Sequence, residues 1–156
     1  MFFYQKAVSI FIFSFCLSAY ADTSLNTDLL YIKKSDKSKV SLNVEIADTH
    51  YKREKGLMRR QYMPKNNGML FVFDNKDIVN FWMKDTYIPL DILFITEKGV
   101  ISKIVKNTTP LSLESISSDV RVIAVLEINA MLSDELLIKE NDIVIHPYFN
   151  NINLLY

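Results

Sequence analysis

Cysteine is all but missing from this sequence: Cys16 is the only one. It lies in an apolar run near the amino terminus, behind Phe13-Ser14-Phe15, without the small neighbours that a lipid-attachment site needs. Disulfides within the chain are therefore excluded, and stability has to come from a packed core. Histidine is nearly as scarce. His50 and His146 are far apart and neither has a second histidine at ligand spacing, so no metal site is expected. The three glycines form neither a Gly-x-Ser-x-Gly elbow nor a phosphate-binding loop, and nothing else implies a cofactor. Charge of one sign is missing too, since 18 basic residues balance 18 acidic ones. No basic patch is interleaved with aromatics, so nucleic acid is not an expected partner.

The apolar runs are short. Ala7 to Leu17 is well below the ~20 apolar residues of a membrane-spanning helix. Lys6 precedes it and Ala19-Tyr20-Ala21 follows, with small residues at the two positions that a signal peptidase reads. That order reads as a secretory signal over residues 1–21, cleaved after Ala21, the alternative being an uncleaved interfacial anchor. The working protein is then residues 22–156, in the periplasm or outside the cell, without a thiol and without a stable membrane span. A chain of that size supports one core and one domain.

Residues 22–39 are polar, with Lys33-Lys34-Ser35-Asp36-Lys37-Ser38-Lys39 at their end. They are expected to form a flexible leader with one edge strand around Leu29–Ile32. Val40 to Ile46 alternates apolar and polar and predicts a half-buried strand at the start of a domain over residues 40–148. Asp48-Thr49 offers a helix N-cap, and Gly56 marks the end of that short helix. Further strands are expected at Met69–Phe73, Ile78–Met83, Ile88–Ile95, Val100–Val105, Val120–Asn129 and Ile143–His146, with a second short helix near Met131–Lys139. Turn residues such as Asn67-Gly68 and Glu97-Lys98-Gly99 separate them. The pattern predicts a mainly β (α+β) fold, a compact antiparallel β-barrel or sandwich-like domain with one or two short helices. Residues 149–156 form an apolar tail that either packs back on the domain or meets a partner.

Chemistry is concentrated in Phe81-Trp82-Met83-Lys84-Asp85-Thr86-Tyr87-Ile88-Pro89-Leu90-Asp91, which holds the only tryptophan. Lys84-Asp85-Thr86 reads as a turn, where the Asp85 and Thr86 side chains can satisfy local amides. Asp91 shares a strand face with Leu93 and Ile95, and a carboxylate buried there needs a partner. Arg59 and Arg60 are the natural ones. Glu127, between Leu126 and Ile128 and facing with Val125 and Ile123, poses the same question. Two buried carboxylates can form an acid–base pair or two structural ion pairs, and the structural role is the ordinary one. Met58, Met63, Met69, Met83 and Met131 would suit Cu(I) only if clustered, and without a Met-x-x-Met spacing they read as core filling.

Gly56-Leu57-Met58-Arg59-Arg60 followed by Gly68-Met69-Leu70-Phe71-Val72-Phe73 resembles the opening motif of the family called domain of unknown function 192. The segment from Phe81 to Ile92 is similar to its central motif and Val125 to Ala130 to its third. The resemblance spans about Val40 to Pro147 and draws attention to Arg60, Trp82, Met83, Lys84, Thr86, Pro89, Asp91 and Glu127. Three positions depart from it: Asp85 stands for the usual asparagine, and Met131 and Asn141 stand for glycines. Met131 puts the backbone turn after Asn129-Ala130 in question, whereas asparagine tolerates left-handed geometry. The resemblance implies a compact β-rich domain, often exported, with no established activity.

The leading expectation is a non-catalytic binding or accessory module of the cell envelope, holding a polar small molecule or glycan at Arg60, Trp82, Lys84, Asp85, Thr86, Asp91 and Glu127. The alternative is a hydrolase-like enzyme using Asp91 and Glu127. A structural or protein-partner role through the Tyr148–Tyr156 tail comes third.

Overall fold

The computed structural model describes residues 27–156. The signal segment, its cleavage point and the first part of the leader lie outside the described residues. Seven strands make one curled sheet: β1 (Thr27–Lys33), β2 (Lys39–Ala47), β3 (Asn67–Asp77), β5 (Leu90–Ile95), β6 (Ile101–Val105), β8 (Val122–Asn129) and β9 (Ile143–Ile145), in the order β6-β5-β8-β3-β2-β1-β9. A two-stranded ribbon pairs β4 (Asn80–Phe81) with β7 (Ile116–Ser117), and the helices α1 (His50–Lys55) and α2 (Leu132–Glu135) are short. The expected mainly β, α+β architecture is the one observed.

The sheet curls into a half-barrel whose outermost strands meet. Val100 bridges Ile143, the Val144 N–H donates to the Gly99 carbonyl at 2.7 Å, and the Ile101 N–H donates to the Asp142 carbonyl at 2.9 Å. These bonds occupy edge groups that would otherwise be open to pairing with another chain.

Curling gives the sheet two buried faces. On one, Leu30, Leu42, Leu70, Leu93, Leu126 and Ile128 pack together. On the other, Leu57, Met63, Met69, Phe71, Ile92, Phe94 and Val125 form a second cluster under the loops. Strands between two cores read as continuous apolar runs, which explains why Met69–Phe73 and Leu90–Ile95 lack alternation.

Several boundaries differ from expectation. Residues 27–33 are no edge strand in a flexible leader: β1 pairs along its whole length with β2 and at Tyr31–Lys33 with β9. Leu30 and Ile32 point into the core and hold it there, although the polar residues around them disguise the strand. The strand expected over 78–83 shrinks to Asn80–Phe81, because Ile78 is exposed and the chain there crosses the rim. The sheet is not wholly antiparallel either, since β2 and β3 run parallel with α1 as their crossover. In the tail, Phe149 and Asn151 are buried, and the Asn151 amide donates to the Val144 carbonyl at 2.9 Å, so this end packs back on the barrel.

Gly68 marks a close approach between β3 and β8. A Cβ there would lie 2.6 Å from the Glu127 carbonyl oxygen, closer than a side chain tolerates. Met131 keeps the turn put in question by its replacement of glycine, adopting a left-handed φ of 69°.

Candidate functional site

Short polar connections set the walls of a cleft above the second core. The Thr49 hydroxyl caps α1 by accepting from the Lys52 N–H, and Gly56 ends the helix at a φ of 45°. That reversal sets Leu57 into the core beneath. Opposite, the Arg59 N–H donates to the Asp85 carbonyl at 2.7 Å, tying the Lys84-Asp85-Thr86 turn to the segment after α1. Asp85 adopts a left-handed φ of 54°, a conformation that aspartate and asparagine tolerate alike, so the exchange for asparagine preserves the turn.

Between these walls lies a cleft of about 440 Å³. Phe71, Phe73, Val79 and Phe81 make its apolar side, and the Phe71 and Phe81 rings meet edge to face with centroids 5.1 Å apart. Trp82 is half exposed at the rim, with the Lys84 ammonium 5.1 Å from its ring centre. The Thr86 hydroxyl, also on the cleft, donates to the Lys84 carbonyl at 3.2 Å. Glu127 is the acid of the cleft floor. It is 95% buried, yet no charged group or hydrogen bond offsets the burial, which pushes its carboxyl from 4.5 up to about 8. At neutral pH the group is mostly protonated, a hydrogen-bond donor and acceptor rather than an anion.

Asp91 is placed differently. In the register of β5 and β8, Ile92 lies opposite Glu127 and Asp91 opposite Ile128. Paired residues share a face, so the two carboxyl groups project from opposite faces of the sheet. The acid–base pair expected of a hydrolase is therefore not formed. Nor does Asp91 pair with Arg59 or Arg60. It is fully buried and accepts from the Asn107 N–H at 2.8 Å, the Met131 N–H at 3.2 Å, the Ser133 N–H at 3.1 Å and the Ser133 hydroxyl at 2.6 Å. These bonds pin the loop after β6 and the start of α2 to β5, a structural role.

Arg60 also lies apart. Its guanidinium forms a two-pronged ion pair with Glu45 of β2, in a polar hollow on the other flank of α1 beside Asp28, Asp48 and Tyr148. His146 is buried beside that hollow with its Nε2 unbonded, 3.8 Å from Asp28, and burial lowers its pKa. Trp82, Lys84, Thr86 and Glu127 thus share one cleft, Asp85 shapes its rim turn from behind, and Arg60 and Asp91 lie elsewhere. The methionines do not form one cluster: Met63, Met69 and Met83 are core side chains, Met58 lines the cleft and Met131 is exposed.

Sequence reasoning missed Arg53, Lys55, Gly56, Phe73 and Phe81 as cleft residues. Phe71 and Phe73 carried a usable signal, because both stand two residues apart on the β3 face that Met69 shares with Glu127. Ser133 as the partner of Asp91 carried none.

Two solved structures share this fold. A candidate transcription regulator from Sinorhizobium meliloti is 35% identical, with a TM-score of 0.78 over 81% of this chain and 98% of its own. A protein of unknown function from Novosphingobium aromaticivorans is 30% identical, with a TM-score of 0.75 over 81% of this chain and 90% of its own. No curated protein matches the sequence. The model of domain of unknown function 192, described as an uncharacterized ACR, matches residues 30–146.

Proposed function

Because the chain belongs to the domain of unknown function 192 family, whose description assigns no activity, we propose that it is an exported, non-catalytic binding module of the cell envelope that holds a small polar molecule or glycan in the Trp82 cleft. The observation that carries this reading is the meeting of Trp82, Lys84, Thr86 and Glu127 in one open cleft with the Glu127 carboxyl left unpartnered. Among the described residues His146 Nε2 is the one side-chain polar atom fully buried without a partner, so the Glu127 carboxyl meets cleft solvent, and a ligand that hydrogen-bonds it takes the place of water. A half-exposed indole supplies the flat apolar face on which a sugar ring or similar body rests. The motif order before Ala21 supports export, and the balanced charge supports a partner other than nucleic acid.

Trp82 is the only tryptophan, so its fluorescence reports on the cleft directly. Titration with neutral oligosaccharides, organic acids and amines is expected to shift that emission for at least one class, and Trp82→Ala to abolish the corresponding heat in calorimetry. No response from any class at millimolar concentration refutes the cleft as a binding site. Export is tested by expressing the full chain in a bacterium and sequencing the amino terminus of the accumulated protein, expected to begin at Asp22; an intact Met1 in the cytosolic fraction refutes it.

A further inference from the structure

The charge pattern of the same cleft narrows the ligand class. Its ionic lining is Arg53, Lys55 and Lys84 against Glu54 and Glu127. Arg53 is already engaged, donating to the Asp48 and Val72 carbonyls at 2.8 Å each. Glu54 stands 3.9 Å from His50. Among the described residues no carboxylate lies within ion-pair distance of Lys55 or Lys84, the two lysines of this lining. Both cations stand on the exposed rim, with no counter-ion, and the Lys84 ammonium lies over the Trp82 ring. Beneath them are the rings of Phe71 and Phe81 and then Glu127, whose burial without a counter-charge favours its neutral, proton-donating form. An ammonium ligand would meet cations at the rim and would need an ionised floor. A neutral ligand would leave the Lys84 ammonium without a counter-ion, in contact with the Trp82 ring alone. An anion with an apolar body complements the two lysines, the rings and the neutral floor together, with Glu54 the one opposing charge, 74% exposed beside His50.

Resting on the binding reading above, we infer that the cleft selects a small organic carboxylate with a flat apolar body, its anionic end at the rim beside Lys84 and its body against Phe71, Phe81 and Trp82. A carboxylate pairs with the Lys84 ammonium at the rim, above a floor whose acid, Glu127, burial keeps neutral and therefore unrepelling. Charge-assisted bonds of that kind are stronger than neutral ones, and an advantage of about 1.4 kcal/mol is tenfold in affinity.

The test uses three probes of one shape: phenylacetate, phenylacetamide and phenethylamine, titrated into the full-length protein by calorimetry at pH 6 and pH 9.5, with a neutral oligosaccharide as control. Phenylacetate is expected to bind at least about tenfold more tightly than phenylacetamide at pH 6, and to lose about tenfold or more at pH 9.5, where Glu127 is charged and repels it. Glu127→Gln is expected to flatten that pH dependence. Lys84→Gln, at an exposed position where folding is not at stake, is expected to abolish the preference for the acid over the amide. Tighter binding of phenethylamine, equal binding of all three probes, or binding of the oligosaccharide alone overturns the carboxylate inference while leaving the cleft a binding site. Silence from all four probes and from the wider panel overturns both.

Discussion

Glu127→Gln is the most informative perturbation of this fold, because one group accounts for a pH dependence that its near-isosteric replacement removes. Burial raises the folded pKa from 4.5 to about 8, above its value in the unfolded chain. The folded protein therefore keeps a proton that the unfolded chain releases. The associated stability is fully present below about pH 4.5 and is lost as the pH rises toward about 8, beyond which both states are ionised. Each tenfold of that gap is worth about 1.4 kcal/mol, which sets an upper bound of about 5 kcal/mol; water entering the cleft lowers the expected loss to about 3 kcal/mol. Urea unfolding of the wild type and Glu127→Gln at pH 5, 7 and 9 measures it. All other titrating groups are common to the two proteins, so the difference between their unfolding free energies isolates Glu127. The variant is expected to gain on the wild type by about 3 kcal/mol between pH 5 and pH 9. A difference that stays constant within about 0.5 kcal/mol across that range refutes the assignment of a neutral, unpartnered Glu127.

Three further outcomes follow from the packing. Asp91→Asn puts an amide donor against the donors that the carboxylate now accepts, so it should cost about 2–3 kcal/mol by urea unfolding, and a loss below about 0.5 kcal/mol would mean the four bonds at Asp91 are not formed together. Met131→Gly relieves a left-handed φ of 69° at an exposed side chain, and after the entropy that glycine adds to the unfolded chain it should stabilise by up to about 1 kcal/mol; a drop in melting temperature would contradict the strain. Gly68→Ala drives a methyl group to within 2.6 Å of the Glu127 carbonyl and should lower stability by about 2 kcal/mol or more, whereas an unchanged chemical-denaturation midpoint would show that β3 and β8 separate freely there.

Much of the fold was legible because buried strands leave a record in single residues. The alternation of Val40–Ile46 predicted β2, and the unbroken apolar run of Met69–Phe73 predicted a strand covered on both sides. β1 was legible as a strand around Leu29–Ile32 but not as an interior one, because its inward positions, Leu30 and Ile32, sit among polar neighbours and β9, which covers its other edge, lies far away in the chain. Ile78–Met83 failed in the opposite sense: β-prone residues occupy a rim where few strand partners exist. Of the site, Trp82, Lys84 and Thr86 were legible because a short polar–aromatic segment brings them together locally. Arg60 was assigned the wrong partner because proximity in sequence to α1 says nothing about Glu45, which is brought there by β2.

The sequence by itself determined that Asp91 and Glu127 are both buried, since each stands in a strand whose neighbours are apolar. Alternation also determined which residues accompany each of them, Leu93 with Asp91 and Val125 with Glu127. Whether those two faces coincide was decided only by the tertiary structure, through the register that sets Ile92 opposite Glu127. Side chains alternate with a period of two, so a slip of one residue would have put both carboxyl groups on one face. In the register observed, one becomes a hydrogen-bonded anchor under a loop and the other the neutral acid of a cleft.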